Sequence, residues 1–403
     1  MDLARGLDTL LVTAAVAALA PVLVALLPGP PVPQVVVLLV GGVLIGPEVL
    51  GWADRAEIDL LVNVGLGFLF LLAGYELDPH LFEERPGRLA IVGWLVTVAL
   101  AAALVGVLAA AGFVHAFVPV ALGLTTTAFG TLLPILHEND MLHGRFGRHL
   151  LAAGAVGELF PVFAIALFLG ASSKFVALAS LAAVGLLAVV LSLAPRLVRG
   201  GRLERIVGEG EGSTSQTPVR LTVLLLLLLL VVAQEFGLDV VLGAFLAGMV
   251  LRRWAPGDVH TLKGKLDAIG YGFFIPLFFV ASGMTLDVRS IAEAPLRLPI
   301  FFVLLLVIRG VPSLFLYRRD LPAVRRVQMM FLTATALPLL VALAEIGLRN
   351  GTMLRENAAA MVGAGAVSVL VYPMIAVAIE RRRRAAAAGP AVVPSADLLP
   401  HVE

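Results

Sequence analysis

Continuous apolar runs constrain this chain more than any other feature. The stretch from Leu221 to Ala233 carries no charge, and apolar runs of roughly 17–25 residues recur along the sequence, the length a helix needs to cross a hydrocarbon core. Strands of a membrane barrel would alternate apolar and polar residues over about ten positions. Here the runs are unbroken, so they read as membrane-spanning helices. Composition agrees: 60% of the 403 residues are hydrophobic and 14% are charged, far from the balance of a soluble domain. The basic residues behind the net charge of +1 are dispersed among loops rather than gathered into a stripe, which argues against a nucleic-acid partner. The chain has no cysteine, so disulfides, thiolate metal sites and thiol chemistry are excluded.

Charged or Pro/Gly-rich breaks divide the runs into thirteen expected spans, at about 8–27, 33–50, 60–75, 89–112, 117–136, 148–170, 175–198, 219–235, 238–253, 268–285, 296–317, 327–347 and 357–380. Loop charges test that division. After the third, fifth and seventh spans come Arg85 and Arg88, then Arg145 and Arg148, then Arg196, Arg199, Arg202 and Arg205. After the ninth, eleventh and thirteenth come Arg252, Arg253, Lys263 and Lys265, then Arg318, Arg319, Arg325 and Arg326, then Arg381 to Arg384. The intervening loops hold few basic residues. By the positive-inside rule the odd-numbered spans exit into the cytoplasm, which places the N-terminus outside and the C-terminus inside a bacterial-type cytoplasmic membrane. The first run lacks a strongly basic start and a small-residue cleavage site, and is expected to be a retained helix rather than a signal peptide.

The two halves of the chain resemble one another. LTTTAFGTLL (124–133) matches LTATALPLLV (332–341), GLGFLFLLAGYELD (65–78) matches GFFIPLFFVASGMTLD (272–287), and GAVGELFPVFAIAL (154–167) matches GAVSVLVYPMIAVAI (365–379), all at a separation of about 208–211 residues. Matched spans are seven apart in the count, so the copies should cross the membrane in opposite directions. Such inverted repeats are characteristic of secondary transporters, whose site lies near mid-membrane where the repeats meet. The expected organisation is a first repeat over 1–174, a linker helix and polar cytoplasmic loop over 175–218, a second repeat over 219–384, and a disordered tail over 385–403. That tail is too short for a nucleotide-binding regulatory domain. The expected fold class is therefore an all-α polytopic membrane protein with two inverted repeats.

Within the first matched pair, Thr125, Thr126 and Thr127 precede Gly130 and Pro134, while Thr333 and Thr335 precede Pro338. Proline and glycine loosen the helical ladder, and nearby hydroxyls can satisfy the freed backbone groups. Two kinked helices would fit this pattern, but equivalent places in the two repeats favour a pair of broken helices crossing at mid-membrane. Most charges lie at span ends. Glu158 and Arg309 do not, and an ionisable group at that depth is expensive enough to be a functional candidate.

A deprotonated Glu158 would offer Na⁺ or K⁺ a hard oxygen ligand, shared with the hydroxyls of Thr126 and Thr127. Because burial makes a carboxyl group hold its proton more tightly, one carboxylate could bind either ion but not both, coupling two fluxes. A structural buried acid paired with a base is the competing reading. The second-half counterpart of Glu158 is Val369, so the scaffold does not require an acid there. Arginine stays protonated even when buried, so Arg309 should neutralise an acid or cap helix carbonyls. Glu76, Glu235, Asp239, Asp287 and Glu345 fall near span ends and read as solvated or interface groups. His137, His143 and His149 lie together in one cytoplasmic loop and read as solvated.

At these motifs the sequence resembles the Kef-type branch of the monovalent cation:proton antiporters over nearly its whole length. VVLLVGGVLIGPEVLG, GFLFLLAGYELD, LGAFLAGMVL and FFIPLFFVASGMTLD carry the resemblance. It implies a sodium/proton antiporter-like fold, a homodimer, a mobile core that carries the ion, and crossed broken helices at the fifth and twelfth spans. Family members place an Asp on the sixth span, preceded by Asp, Asn or Gln; here the pair is Gly157-Glu158. Arg309 falls where the family has Lys or Arg. With a single core acid, electroneutral one-for-one exchange of Na⁺ or K⁺ for protons is expected. The alternative is channel-like or regulated potassium efflux, gated by a separate subunit. No HExxH, GxSxG or paired intramembrane Asp motif appears, so neither an intramembrane enzyme nor a cofactor is expected.

Overall fold

The computed structural model describes residues 3–26, 33–76, 83–169, 174–198, 216–238, 240–254, 259–286 and 288–388. Every regular element among them is helical. The helices are α1 (Leu3–Leu26), α2 (Gln34–Ile45), α3 (Asp59–Glu76), α4 (Arg85–Ala110), α5 (Phe117–Gly123), α6 (Phe129–Glu138), α7 (Gly144–Phe168) and α8 (Lys174–Val198). There follow α9 (Thr217–Glu235), α10 (Val240–Trp254), α11 (Val259–Ile269), α12 (Ile275–Met284), α13 (Val288–Glu293) and α14 (Arg297–Leu305). The last four are α15 (Pro312–Leu316), α16 (Ala323–Thr333), α17 (Pro338–Arg349) and α18 (Arg355–Ala388). A π-helical turn, Gly270–Phe274, joins α11 to α12, and another, Leu306–Gly310, joins α14 to α15.

Nine helices among the described residues are long and apolar enough to cross a membrane. The expected spans at 117–136 and 327–347 are each interrupted, between α5 and α6 and between α16 and α17. Three boundaries differ from expectation. Lys263 and Lys265 lie on helix α11 rather than in a loop, because that segment is amphipathic and buries Leu262 and Leu266. His149 lies inside α7, buried, with Nδ1 on the Arg145 carbonyl and its ring edge-on to Tyr317. Arg381 to Arg384 continue α18, and residues 385–388, expected to be disordered, are helical too. Glu380 sets this extension, since it pairs with Arg383 and Arg384 one turn on. The expected polar loop at 199–215, the remainder of the tail at 389–403, Asp239 and Asp287 lie outside the described residues.

The helices form two bodies. In the first, α3 packs on α10, α2 on α12, and α9 on α10. Close approach here depends on glycine. A side chain on Gly42 would run into the Val280 carbonyl and one on Gly283 into the Leu39 carbonyl; Gly74 and Gly248 bear the same relation to Phe245 and Leu71. Without a hydrophobic drive between helices in lipid, such small-residue contacts supply the packing. In the second body α4 lies on α7, and α18 runs past α14, α16 and α17. Helix α8 bridges the two, touching α7 and α10, where the Trp254 indole N–H donates to the Leu191 carbonyl at 2.7 Å.

Ion pairs sort the ends of the molecule. Glu76 pairs with Lys263, Glu84 with Arg148, Arg85 with Asp320, Asp140 with Arg384 and Arg325 with Glu380. At the other end Arg55 pairs with Glu345, Glu48 with Arg289, Asp59 with Arg349 and Arg297 with Glu356. No ion pair among the described residues joins the two groups, which are the groups that alternation of the loops separates.

Candidate functional site

The site grows from the two interruptions. Helix α5 ends at Gly123 because Thr125 and Thr126 turn their hydroxyls back onto the Leu122 and Gly123 carbonyls, at 2.7 and 2.8 Å, competing with the backbone ladder. The chain is then irregular until α6 begins at Phe129. In the second half α17 begins on Pro338, which lacks the N–H that would continue α16 and fits the first helical position. Thr333 and Thr335 send their hydroxyls back to the Met329 and Phe331 carbonyls, at 2.8 and 3.2 Å.

Orphan backbone groups at the interruptions satisfy one another. The Ala128 N–H donates to the Thr335 carbonyl at 2.7 Å, and the Thr127 N–H donates to the Gly157 carbonyl at 2.9 Å. The Thr127 hydroxyl donates to the Thr333 carbonyl at 2.7 Å. On the other side, Ser368 receives the Ala336 N–H at 3.1 Å. Gly157 and Ser368 are equivalent positions in the matched segments, so each half uses the same place on its neighbouring helix to hold its break. The crossed pair expected from sequence is present, with Thr127, Thr333 and Thr335 in the crossing itself.

Arg309 locks the crossing. It sits in the π turn Leu306–Gly310, 4% exposed, donating from Nε to the Thr127 hydroxyl at 2.9 Å and from Nη2 to the Ala153 carbonyl at 2.8 Å. Through Thr127 it is linked to the carbonyl end of α16, where a positive charge is favoured by the helix dipole. Its guanidinium fills the space beside Gly157: a Cβ there would meet Arg309 Nη2 and would lie 2.5 Å from Thr127 Oγ1. With Arg309 and Thr127 in these positions, Gly157 has no room for a side chain. The Thr127 hydroxyl accepts from Arg309 and donates to the Thr333 carbonyl, which leaves it one further lone pair.

Glu158 lies one residue further along α7, 8% exposed. Its carboxylate faces Gly130, in the first turn of α6, where the positive end of the helix dipole favours an anion. Gly130 leaves room for this, since a Cβ on it would lie 3.9 Å from Glu158 Oε1. Among the described residues no cation lies within ion-pair distance of Glu158, and Arg309 does not pair with it. Thr125 caps α5 and Pro338 starts α17; neither is brought to the carboxylate by a hydrogen bond among the described residues.

Sequence reasoning passed over Glu76. It lies at the end of α3 with its side chain 15% exposed, paired at 3.1 Å with Lys263. Tyr271 lies in the π turn Gly270–Phe274 that follows α11. The α3 carbonyls beside Glu76 are taken up by Arg252, which donates to Tyr75 O at 3.0 Å and Glu76 O at 3.1 Å. The repeat could not have singled it out, since Glu76 stands opposite Thr285 in the matched segments, and a carboxylate at a helix end is ordinarily solvated. At the opposite end the two bodies are joined by Arg55 and Glu345, 2.5 Å apart with side chains 10% and 16% exposed. They border a cleft of about 370 Å³ that also includes Ser282, Ala344, Arg349 and Arg355.

Comparison with known proteins gives one consistent answer. The model of the family described as sodium/hydrogen exchanger, transmembrane, matches residues 11–379. The chain is 26% identical over 374 residues to the putative Na⁺/H⁺ antiporter YjbQ of Bacillus subtilis, covering 85% of this chain and 58% of that one. It is 26% identical over 299 residues to the glutathione-regulated potassium-efflux system protein KefC of Shigella sonnei, covering 70% of this chain and 46% of the other. The chain therefore spans about half the length of these curated relatives. The structure of the sodium proton antiporter MjNhaP1 from Methanocaldococcus jannaschii matches with a TM-score of 0.63 at 15% identity, over 95% of this chain and 98% of that one, which shows a shared fold.

Proposed function

The chain belongs to the sodium/hydrogen exchanger transmembrane family, and we propose that it exchanges Na⁺ or K⁺ for protons by alternating access, in an electroneutral one-for-one cycle. The observation that carries this reading is Glu158: a buried carboxylate at the crossing of two broken helices, beside the first turn of α6 and paired with no cation among the described residues. Such a group needs a positive partner, and a proton or a metal ion can supply it in turn. The names of YjbQ, a putative Na⁺/H⁺ antiporter, and KefC, a potassium-efflux system protein, support a monovalent cation as the other substrate.

In this reading Glu158 is the exchanging ligand and Thr126 contributes oxygen nearby. Thr127, Thr333 and Thr335, with Arg309, keep the crossing rigid while the second body moves against the first. Glu76, Asp267 and Tyr271 form the approach from the cytoplasmic end, and the Arg55–Glu345 pair closes the external end. A single exchanging acid, with Gly157 in place of a second, supports charge balance between one cation and one proton. Thirteen crossings, two inverted repeats, an external N-terminus and a homodimer in a cytoplasmic membrane complete the proposal.

The test uses purified protein in liposomes, with internal pH and cation content followed together while Na⁺, K⁺ or Li⁺ is added. Cation movement matched by opposite proton movement, without a voltage-sensitive current, is the expected result. Cation flux without proton movement would replace exchange by regulated efflux; a transport current would overturn the one-for-one ratio.

A further inference from the structure

Away from the crossing, a cleft of about 550 Å³ opens on the flank of the second body, between α4 and α15. Its floor exists because Gly93 has no side chain: a Cβ there would lie 2.7 Å from Leu316 Cδ2. Its walls are apolar, formed by Leu89, Val96, Pro312 and Phe315, and Phe315 is 69% exposed. Both α4 and the α14–α15 segment belong to helices apolar enough to span a membrane, so the cleft opens toward acyl chains. One end is ringed by Arg85, Arg318, Arg319 and Asp320. Arg85 spends its charge on Asp320 at 3.2 Å, while Arg318 and Arg319 are exposed and have no ion pair among the described residues. Three guanidinium groups against one carboxylate leave that end positive. It is also the end that loop charges place in the cytoplasm.

We infer that this cleft holds an anionic glycerophospholipid, its phosphate on Arg318 and Arg319 and one acyl chain along Leu89, Val96 and Phe315. A basic rim above an apolar cleft between membrane helices is the recognition such a lipid requires. A soluble phosphate would leave the apolar walls uncovered, and an acidic protein segment could not lie at acyl-chain depth without unsatisfied backbone groups. The cleft abuts the residues leading out of the π turn that carries Arg309. Occupancy would therefore bear on the segment that braces the crossing, and the inference stands whether or not that crossing performs exchange.

The test is lipid retention by detergent-purified full-length protein, measured by native mass spectrometry, with phosphatidylglycerol against phosphatidylcholine. Wild type should retain phosphatidylglycerol at least fivefold better. The double variant Arg318→Gln/Arg319→Gln should lose that preference, whereas Arg381→Gln/Arg382→Gln, which removes two exposed charges at the same end of the molecule, should keep it. Leu89→Trp, which fills the wall without changing charge, should also lose it while remaining monodisperse. Equal retention by wild type and the Arg318/Arg319 variant overturns the inference. So does an equal loss in the Arg381/Arg382 variant, which would mean diffuse attraction, or competition by glycerol phosphate as strong as by the lipid.

Discussion

Replacing Arg55 by glutamine removes one side of the contact that joins the two bodies at the end proposed to be external. Arg55 and Glu345 are 2.5 Å apart with side chains 10% and 16% exposed, so the pair is neither a solvated surface bridge nor fully buried. Fully exposed pairs contribute about 0–1 kcal/mol; a hydrogen bond to a charged group shielded from water contributes about 1.5–3 kcal/mol. Glu345 would not be orphaned, because Arg349 also reaches it, and this places the loss inside that second range. If the bodies separate here during the cycle, the whole amount weighs against the outward-open form. Its removal should raise that form's share about ten- to a hundredfold, at roughly 1.4 kcal/mol per factor of ten. The chain has no cysteine, so Ala344→Cys in the cleft gives a single reporter for a membrane-impermeant thiol reagent. Labelling should accelerate by that factor in Arg55→Gln and return toward the wild-type rate in the exchange Arg55→Glu/Glu345→Arg. An unchanged rate in Arg55→Gln, or no recovery in the double variant, would refute the argument that this pair closes the external path.

Other expectations follow from the crossing and its approach. Arg309→Lys can reach Thr127 or Ala153 but not both, and should lower stability by about 1–3 kcal/mol, read as a fall in Tm in detergent. Gly157→Ala drives a methyl group into Arg309 and Thr127; it should cost a similar 1–3 kcal/mol from overpacking and slow exchange, whereas Gly264→Ala, where a Cβ meets nothing, should be silent. Glu76→Gln removes a negative charge on the route to Glu158 and should raise the KM for the cation about three- to tenfold with little change in maximal rate, measured by exchange in liposomes over a cation series; an unchanged KM would remove Glu76 from the route.

The sequence showed the crossing more clearly than the approach to it. Pro338, Gly130 and the threonine clusters announce broken helices by local chemistry alone, and their equivalent places in two repeats say that the breaks meet. Glu158 and Arg309 stood out because charge at membrane depth is costly. What lies between them was hidden, since nothing local tells that the Arg309 guanidinium turns onto Gly157 and Thr127 instead of toward the acid. That choice depends on a π turn whose extra residue rotates Arg309, and π turns leave little trace in a Leu- and Val-rich run. Glu76 read as a solvated or interface group from its place at a helix end; its pairing with Lys263 on α11 depends on packing that no local pattern announces. His149 likewise read as a loop residue until α7 was seen to start at Gly144.

The central claim, that one carboxylate is shared by cation and proton, is tested most directly by counting protons released when the cation binds. Purified wild type in weak buffer, titrated with Na⁺ or K⁺ while heat and pH are followed, should release close to one proton per cation bound, and Glu158→Gln should release none and bind weakly. Cation binding without proton release in wild type, or equal release by the folded Glu158→Gln variant, would contradict the account.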